Sequence, residues 1–241
     1  MPFRHLLKRL LLHDLPLVRL NLARQRSVHL CLRPKDAGDR ASFFENFFEL
    51  PLNLSLDREP SLIADAGAHI GCFSLYAHSR WPNARVVAFE PDEKNQALLR
   101  ENFSLNKIEG EVVPKAIWKE PGKLTFAANQ SNSGYLTAGT KQGQCSGSKI
   151  AREIDATSLS FSFGSDLKKI DLLKLDIEGA ELEVLDVELP NCSPHTIILC
   201  ELHFTEINRA RFDEILSRHG WVAVLHDATH PPHSTWILRH A

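Results

Sequence analysis

The sequence lacks the features that mark several large classes of protein. Its 241 residues include only five cysteines, an odd number with no two at metal-ligand spacing. This argues against a disulfide framework and against a cysteine-bound metal, and it favours reduced thiols in a cytoplasmic protein. No apolar run reaches the length of a membrane-spanning helix. The formal net charge is only −2, so the overall charge predicts no nucleic-acid partner.

A secretory leader is also not predicted, although the first residues are basic and apolar. Residues 1–35 carry eight basic side chains against one acidic side chain, a net +7 that the remainder offsets with −9. Apolar residues recur at helical spacing from Phe3 to Leu11, but the run stops at His13, too early for a leader. We predict a basic amphipathic helix that packs on the protein's own core. Contact with an anionic membrane surface or a partner is the alternative.

The glycine turn at residues 63–71, which reads IADAGAHIG, lacks one glycine of the dinucleotide-binding motif. A dinucleotide-binding turn needs three glycines as G-x-G-x-x-G, but here only Gly67 and Gly71 are present and His69 replaces the second glycine. A side chain at 69 would crowd a pyrophosphate, which counts against NAD or FAD. It does not hinder a ligand without phosphates, such as S-adenosylmethionine, and Asp65 could face that ligand's positive charge. A generic turn with a solvated aspartate is the alternative.

From residue 61 onward, short apolar strands alternate with helical patterns. This alternation predicts right-handed βαβ units and a mainly parallel sheet that is buried on both faces. The last two predicted strands, 221–227 and 234–240, suit an antiparallel pair. Ligands of such sheets bind at the carboxyl ends of the strands. The other predicted strands are 61–67, 84–91, 109–117, 170–179 and 195–203, with short extra strands near 123–128 and 153–159 and a mobile loop near 138–149.

Glu90 ends the second predicted strand, 25 residues after Asp65. The two oxygens of a carboxylate at this position can accept hydrogen bonds from both hydroxyls of a ribose. NAD and S-adenosylmethionine each contain a ribose, so Glu90 does not distinguish them, and the glycine turn does. A helix-capping or surface acid is the alternative interpretation.

Charged residues alternate along the next two predicted strands. Lys174, Asp176 and Glu178 are two residues apart, so on an extended strand they point the same way. Three charges on one side would be costly in a dry core, which predicts that they lie at the strand's end beside a ligand. Glu201 and His203 alternate in the same way on the following strand, and His203 is predicted to be a general base. A structural lysine–carboxylate network is the alternative.

Taken in order, these motifs resemble the FkbM-type family of S-adenosylmethionine-dependent methyltransferases over about residues 60–205. They read D-x-G-A-x-x-G, V-x-A-F-E-P, two asparagines in the following helix, a strand-end alanine, D-L-L-K-x-D-x-E-G-x-E and E-x-H. His69 departs from the asparagine expected at its position, which could weaken cofactor binding or make it pH-dependent. The matching positions are Asp65, Gly67, Gly71, Glu90, Pro91, Asn102, Asn106, Ala116, Lys174, Asp176, Glu178, Gly179, Glu181, Glu201 and His203.

The resemblance implies an α/β fold: a doubly wound, mainly parallel, seven-stranded Rossmann-like methyltransferase sheet with its last strand antiparallel and helices on both faces. We predict a basic helical arm over 1–58 that packs on the core and a methyltransferase domain over 59–241, with inserted strands and a loop at 118–165, although the basic arm does not belong to the shared motifs. The implied reaction is O-methylation of a hydroxyl on a sugar, glycan or other small hydroxylated metabolite. S-adenosylmethionine would contact Asp65, Gly67, Ala68, His69, Gly71, Glu90, Pro91 and Ala116.

The residues expected to carry the chemistry are His203, Asp176, Lys174, Glu178 and Glu201. His203 is the first candidate for general base and Asp176 the second, while Lys174 and Glu178 position them or the substrate. A divalent metal held by Asp176, Glu178 and Glu201 is an alternative, although metal-free transfer is preferred. A nicotinamide-dependent oxidoreductase and a non-catalytic nucleoside-binding module remain as alternative functions.

Overall fold

The structure is a computed structural model that describes residues 17–21, 27–49, 56, 58–128, 134–137, 150–203, 205–227 and 234–241. The predicted basic helix at Phe3–Leu11 and the predicted loop at 138–149 lie outside these residues. In the part of the chain that is described, no helix is both long enough and apolar enough to cross a bilayer.

The described residues form thirteen strands and six α-helices. The strands are β1 (Leu17–Asn21), β2 (Ser27–Cys31), β3 (Leu62–Ala66), β4 (Arg85–Phe89), β5 (Glu111–Val113), β6 (Ala116–Ile117), β7 (Gly122–Ala128), β8 (Gly134–Thr137), β9 (Ile150–Thr157), β10 (Leu172–Leu175), β11 (Ile197–Leu202), β12 (Trp221–Asp227) and β13 (Ser234–His240). The helices are α1 (Ala37–Phe44), α2 (Cys72–Arg80), α3 (Glu93–Leu105), α4 (Leu159–Phe163), α5 (Glu181–Glu188) and α6 (Thr205–Arg218). A π-helical turn (Glu45–Glu49) follows α1, and two short 3₁₀ helices cover Gly164–Lys169 and Leu189–Asn191.

The central sheet has seven strands in the order β12-β13-β11-β10-β3-β4-β5. The strands from β11 to β5 pair in parallel, whereas β13 runs antiparallel to both β11 and β12. The doubly wound sheet with a reversed last strand, predicted from the sequence, is therefore confirmed. The parallel arrangement brings the carboxyl ends of β3, β4, β10 and β11 to one edge.

Two apolar clusters cover the two faces of this sheet, as the near-continuous apolar strands predict. Ile63 and Ala64 are neighbours in β3 and are both fully buried, but they belong to opposite clusters because strand side chains alternate. Helices α2 and α3 supply one cluster, and α5 and α6 supply the other.

Proline divides the strand that the sequence predicts over 109–117. Pro114 has no N–H to donate to a ladder, and the Lys115 N–H donates instead to the Val113 carbonyl at 2.9 Å. Strand β5 therefore stays in the central sheet, while β6 joins a second sheet of order β6-β9-β7-β8. Strands β7 and β9 match the two short strands predicted near 123–128 and 153–159, except that Ser158 already caps α4.

The described part of the amino-terminal arm, residues 17–21 and 27–49, contains two strands as well as helix α1. It begins with an antiparallel hairpin in which β1 pairs with β2. Val28 and Leu30 are buried, whereas the residues between and beside them are half-exposed. This alternation is typical of a strand, and it places the two apolar side chains in the cluster formed by α2 and α3.

Asn102 of α3 and Asn106, which follows the last residue of α3, hold β2 by its main chain. The Asn102 side chain accepts from the Cys31 N–H at 2.7 Å and donates to the Cys31 carbonyl at 3.2 Å and the Ile70 carbonyl at 2.8 Å. Asn106 accepts from the His29 N–H at 2.8 Å and donates to the His29 carbonyl at 2.6 Å. Each amide thus bonds β2 as a neighbouring strand would, which gives these two motif asparagines a structural role.

Replacing Asn102 with alanine should detach β2 from α3. The change leaves buried main-chain groups without partners, so we expect the free energy of unfolding to fall by about 1–3 kcal/mol. Denaturant unfolding measures the loss, and amide hydrogen exchange at residues 27–31 should accelerate. Asn191→Ala, at an exposed asparagine with a single bond to Val187, should change stability by less than about 0.5 kcal/mol. Equal effects of the two variants would contradict this role for Asn102.

Candidate functional site

The glycine turn after β3 lies against the end of β10. The N–H groups of Gly67 and Ala68 both donate to the Phe89 carbonyl, at 3.1 and 2.9 Å. Gly67 has φ +78°, and a β-carbon there would lie 1.8 Å from the Asp176 carbonyl oxygen. Only glycine fits this position, so the turn and the end of β10 are in direct contact.

The second motif glycine brings α2 close to α3. Gly71 has φ +90°, and a β-carbon there would lie 2.5 Å from a methyl carbon of Leu99. The N–H of Gly71 donates to the Ala68 carbonyl at 2.8 Å, which closes the turn before α2 begins. Gly71 therefore supports the turn by packing and main-chain geometry.

His69 lies at the centre of the turn in the left-handed region, with φ +52°. Asparagine tolerates this conformation better than most residues, which explains why it is expected here. The His69 ring lies 3.2 Å from an Arg33 nitrogen and 3.4 Å from Asp39 Oδ1. Burial and the Arg33 charge lower the pKa of His69 in spite of Asp39.

Arg33 and Asp39 were not predicted as site residues. Arg33 follows β2 and pairs with Asp39 of α1, so the amino-terminal segment reaches the turn. One Arg33 nitrogen, Nη1, is buried and has no hydrogen-bond partner in the described structure. Both residues lie outside the motifs, and no local sequence signal marks them.

Asp65 is fully buried at the end of β3. Its Oδ2 accepts a hydrogen bond of 2.6 Å from the Ser74 hydroxyl, whereas its Oδ1 has no partner among the described residues. Burial raises the pKa of Asp65, although the Lys174 charge and the Ser74 hydrogen bond oppose this shift. A buried acceptor without a partner is rare in proteins, and a ligand with a hydrogen-bond donor would satisfy it.

Glu90 follows β4 and is also buried. Its oxygens accept from the His69 N–H at 2.8 Å, the Asp92 N–H at 2.8 Å and the Asn95 amide at 3.3 Å. Burial raises the pKa of Glu90 to about 7 although these hydrogen bonds oppose the shift. The carboxylate is thus held in a fixed position next to the glycine turn.

The remaining two predicted cofactor residues are placed differently. Pro91 is half-buried between Glu90 and Asp92, which caps α3. Ala116 is buried in β6, where it pairs with Ala156. No hydrogen bond links Ala116 to the glycine turn within the described ranges.

Strand β10 ends at Leu175, and the charged residues lie at and beyond this end. Lys174 Nζ lies 2.7 Å from Asp176 Oδ2 and 3.4 Å from the Gly67 carbonyl. Burial lowers the pKa of Lys174, but the Asp176 and Asp65 charges outweigh it and raise the pKa. For Asp176, burial raises the pKa, but Lys174 and His203 outweigh it and lower the pKa. The two residues therefore form an ion pair beside the turn.

Glu181 connects the loop after β10 to the end of β11. It is fully buried, and its Oε1 accepts from the Ile177 N–H at 3.1 Å and the Gly179 N–H at 3.0 Å. The same oxygen lies 2.9 Å from His203 Nδ1. The sequence placed Glu181 in the motif but predicted no role for it, and the structure shows that it positions the loop and the imidazole together.

The other imidazole nitrogen of His203 faces three carboxylates. Nε2 lies 3.4 Å from Glu178, 3.8 Å from Glu201 and 4.0 Å from Asp176. Burial lowers the pKa of His203, but hydrogen bonds to Glu178 and Glu181 outweigh it and raise the pKa to about 12. For Glu201, burial and the Asp176 charge raise the pKa to about 8. We call Lys174, Asp176, Glu178, Glu201 and His203 the charged cluster.

In the central sheet, β13 lies between β11 and β12 and is antiparallel to both. Together with the glycine turn after β3, this arrangement is that of a Rossmann-like methyltransferase fold. The chain belongs to the FkbM family, since residues 65–222 match the model described as the Methyltransferase FkbM domain. This range includes residues 65–71 of the glycine turn, Glu90 and the whole charged cluster. The family resemblance seen in the sequence is therefore confirmed.

Individual relatives agree with this membership. Methyltransferase sdnD of Sordaria araneosa is 33% identical over 151 residues, a match that covers 51% of this chain and 58% of that protein. The 31-O-demethyl-FK506 methyltransferase FkbM of Streptomyces tacrolimicus is 26% identical over 197 residues, or 69% of this chain and 75% of that protein. A Pyrococcus abyssi tRNA (uracil-54, C5)-methyltransferase, solved in complex with S-adenosyl-L-homocysteine, shares the fold with a TM-score of 0.50 at 13% identity, covering 93% of this chain and 44% of that chain.

Gly67→Ala tests the contact between the turn and β10. A β-carbon would overlap the Asp176 carbonyl and the left-handed backbone would be strained, so we expect a loss of more than about 3 kcal/mol in unfolding free energy or failure to fold. Gly122→Ala is the matched control because nothing lies within 4 Å of its added carbon. Thermal unfolding of the two variants measures the difference. A Gly67→Ala protein as stable as the control would refute the contact.

Proposed function

We propose that this protein is an S-adenosylmethionine-dependent methyltransferase that methylates a hydroxyl oxygen of a sugar, glycan or other small hydroxylated metabolite. The observation that carries the proposal is the contact between the glycine turn and the charged cluster, through Gly67, Lys174 and Asp176. A ligand bound at the turn would present its reactive end to acid–base groups. The name of the Streptomyces relative, which acts on a 31-O-demethyl compound, supports oxygen as the acceptor atom.

The residues around the turn fit this cofactor. The partnerless Oδ1 of Asp65 suits the ammonium group of the methionine portion, since a charge-assisted hydrogen bond would satisfy a buried oxygen. The Glu90 carboxylate, fixed by His69, Asp92 and Asn95, retains lone pairs for the ribose hydroxyls. His69 occupies the position where a pyrophosphate would need a glycine, which favours a nucleoside without phosphates over a dinucleotide.

When bound, the cofactor would supply a methyl group on a positively charged sulfur, and this sulfur would keep the electron pair of the C–S bond that breaks as the C–O bond forms. The acceptor hydroxyl would give up its proton to a group of the chain. The chain must therefore orient the acceptor oxygen in line with the methyl group and provide a group that takes the proton. The charged cluster contains groups for both tasks.

Within the charged cluster, Glu201 is the residue that we propose takes the proton. Asp176 is held by Lys174 at 2.7 Å, and both nitrogens of His203 lie against carboxylates, Nδ1 against Glu181 and Nε2 against Glu178. The sequence predicts His203 as the first candidate for base and Asp176 as the second, but these contacts favour Glu201. The Glu201 side chain is 27% exposed and lies 3.8 Å from His203 Nε2, so it can meet an incoming acceptor. Lys174 and Glu178 then position the acceptor.

The cytoplasm remains the proposed location. The described cysteines Cys31, Cys72, Cys192 and Cys200 are all free thiols, in keeping with a reducing compartment.

Binding of two ligands tests the cofactor assignment. S-adenosylhomocysteine should raise the melting temperature of the wild-type protein, and calorimetry should show that Asp65→Asn weakens its binding by about 10–100-fold. 5′-Methylthioadenosine lacks the amino-acid portion, so Asp65→Asn should leave its affinity unchanged, whereas Glu90→Gln should weaken both ligands. If S-adenosylhomocysteine does not raise the melting temperature of the wild-type protein, the cofactor assignment is refuted. An equal loss for both ligands in Asp65→Asn would refute the assignment of Asp65 to the amino group.

Turnover tests the reaction. Candidate hydroxylated metabolites are incubated with S-adenosylmethionine, and mass spectrometry detects the gain of one methyl group. We expect Glu201→Gln to lower the rate by about 10²–10⁴-fold because the proton acceptor is lost, with binding of S-adenosylhomocysteine retained. Glu206→Gln, an exposed residue outside the charged cluster, is the control and should keep full activity. Full activity of Glu201→Gln would exclude it as the base.

A further inference from the structure

Three side chains of the charged cluster are arranged as ligands of one cation. One carboxylate oxygen from each of Asp176 and Glu178 and one nitrogen of His203 all lie within 4.8 Å of one another. His203 Nε2 lies 3.4 Å from Glu178 Oε2 and 4.0 Å from Asp176 Oδ1. Ligands bonded at about 2.1–2.3 Å to an octahedral cation lie about 3–4.5 Å apart. Small side-chain rotations are therefore enough to close the set around an ion.

The imidazole is oriented in the way that metal-bound histidines are. His203 is nine-tenths buried or more, and its Nδ1 lies 2.9 Å from Glu181 Oε1. This bond fixes the ring and directs Nε2 at the carboxylates, as in a carboxylate–histidine–metal arrangement. The same Glu181 oxygen accepts from the Ile177 and Gly179 N–H groups. Glu181 thus holds the ring in register with the loop that carries Asp176 and Glu178.

The charge balance around the imidazole also favours a cation. Four carboxylates, those of Asp176, Glu178, Glu181 and Glu201, have ion-pair partners within 4 Å only in Lys174 and His203, as far as the chain is described. The carboxylates therefore outnumber their basic partners two to one. An excess of carboxylates is costly in a partly buried site, and a divalent cation that replaces the Nε2 proton of His203 would reduce it.

We propose that Asp176, Glu178 and His203 bind a divalent cation of the Mn²⁺ or Mg²⁺ type beside the glycine turn. Two carboxylates favour such hard cations, and the imidazole favours Mn²⁺ between them. The Asp176 and Glu178 side chains are 24% and 42% exposed, so solvent can reach the remaining coordination positions. This differs from the metal alternative of the sequence analysis, because His203 replaces Glu201 as a ligand.

The site deepens the proposed function and rests on it for its role in the reaction. A hydroxyl oxygen of the acceptor would occupy one of the open positions, where the cation would lower the pKa of the hydroxyl. Glu201 lies close to the same imidazole nitrogen and stays available for the released proton. Asp176 joins the cation site to the glycine turn, because its carbonyl contacts Gly67.

Manganese binding tests the cation site directly. The full chain is treated with a chelator, dialysed and titrated with Mn²⁺, and electron paramagnetic resonance measures the free ion. We expect one Mn²⁺ to bind per chain and excess Mg²⁺ to displace it. Glu178→Gln should lower the affinity for Mn²⁺ about tenfold or more. Because the Glu178 side chain is exposed, this variant should fold as the wild type does. Glu206→Gln should bind Mn²⁺ as the wild type does. No binding, or binding that Glu178→Gln leaves unchanged, overturns the proposal.

A second variant and a parallel measurement separate the possible failures. Glu181 is not a ligand of the proposed cation, but its side chain orients the imidazole of His203. Glu181→Gln should therefore weaken Mn²⁺ binding by about 10–100-fold. Unchanged Mn²⁺ affinity in a folded Glu181→Gln protein would contradict that positioning role. Binding of S-adenosylhomocysteine is measured on the same samples without metal. Nucleoside binding without Mn²⁺ binding overturns the cation site alone, whereas Mn²⁺ binding without nucleoside binding overturns the proposed function alone.

Discussion

Only a hydrogen atom fits between the Gly67 α-carbon and the Asp176 carbonyl, since a β-carbon would lie 1.8 Å from that oxygen. This approach joins the turn after β3 to the loop after β10, and the rest of the site is arranged around it. Lys174 Nζ also lies 3.4 Å from the Gly67 carbonyl oxygen. The chemistry that we propose depends on this distance, because groups that act on one bound molecule must lie within hydrogen-bond reach of it.

Buried carboxylates are the main electrostatic cost of the arrangement. Asp65, Glu90 and Glu181 are all buried, and burial of a carboxylate is costly unless hydrogen-bond donors compensate for it. The main chain supplies donors at His69 and Asp92 for Glu90 and at Ile177 and Gly179 for Glu181. Asp65 accepts from the Ser74 hydroxyl, and one oxygen of Asp65 and one of Glu181 have no donor among the described residues. The carboxylates are therefore held before any ligand arrives, as a pre-organised site requires.

The amino-terminal segment belongs to the site as well as to the core. Asn102 and Asn106 fix β2 against α3, and this brings Arg33 and Asp39 to the ring of His69. His69 keeps the left-handed backbone that asparagine would adopt, while its larger side chain meets these two residues. The histidine that departs from the family motif is thus accommodated by contacts from outside the family's matched range of 65–222.

Much of the fold was predictable because its signals are local. Apolar runs that alternate with helical patterns specify a parallel sheet buried on both faces, and strand-end acids must then meet at one edge. The same reasoning brought Lys174, Asp176, Glu178, Glu201 and His203 together, and the FkbM motifs identified the family. It also named Glu181 and the two asparagines as motif positions, but it assigned them no contacts.

Tertiary structure decided what those local signals leave open. The hairpin of β1 and β2, the bond between Cys31 and Asn102 across 71 positions, and the approach of Arg33 to His69 join segments that share no pattern. Periodicity reports which face of an element is buried, but not which distant atom will satisfy a buried polar group. The partners of His203 show this: the sequence indicated a histidine beside carboxylates, whereas only the folded chain determines that Glu181 holds one nitrogen and three further carboxylates face the other.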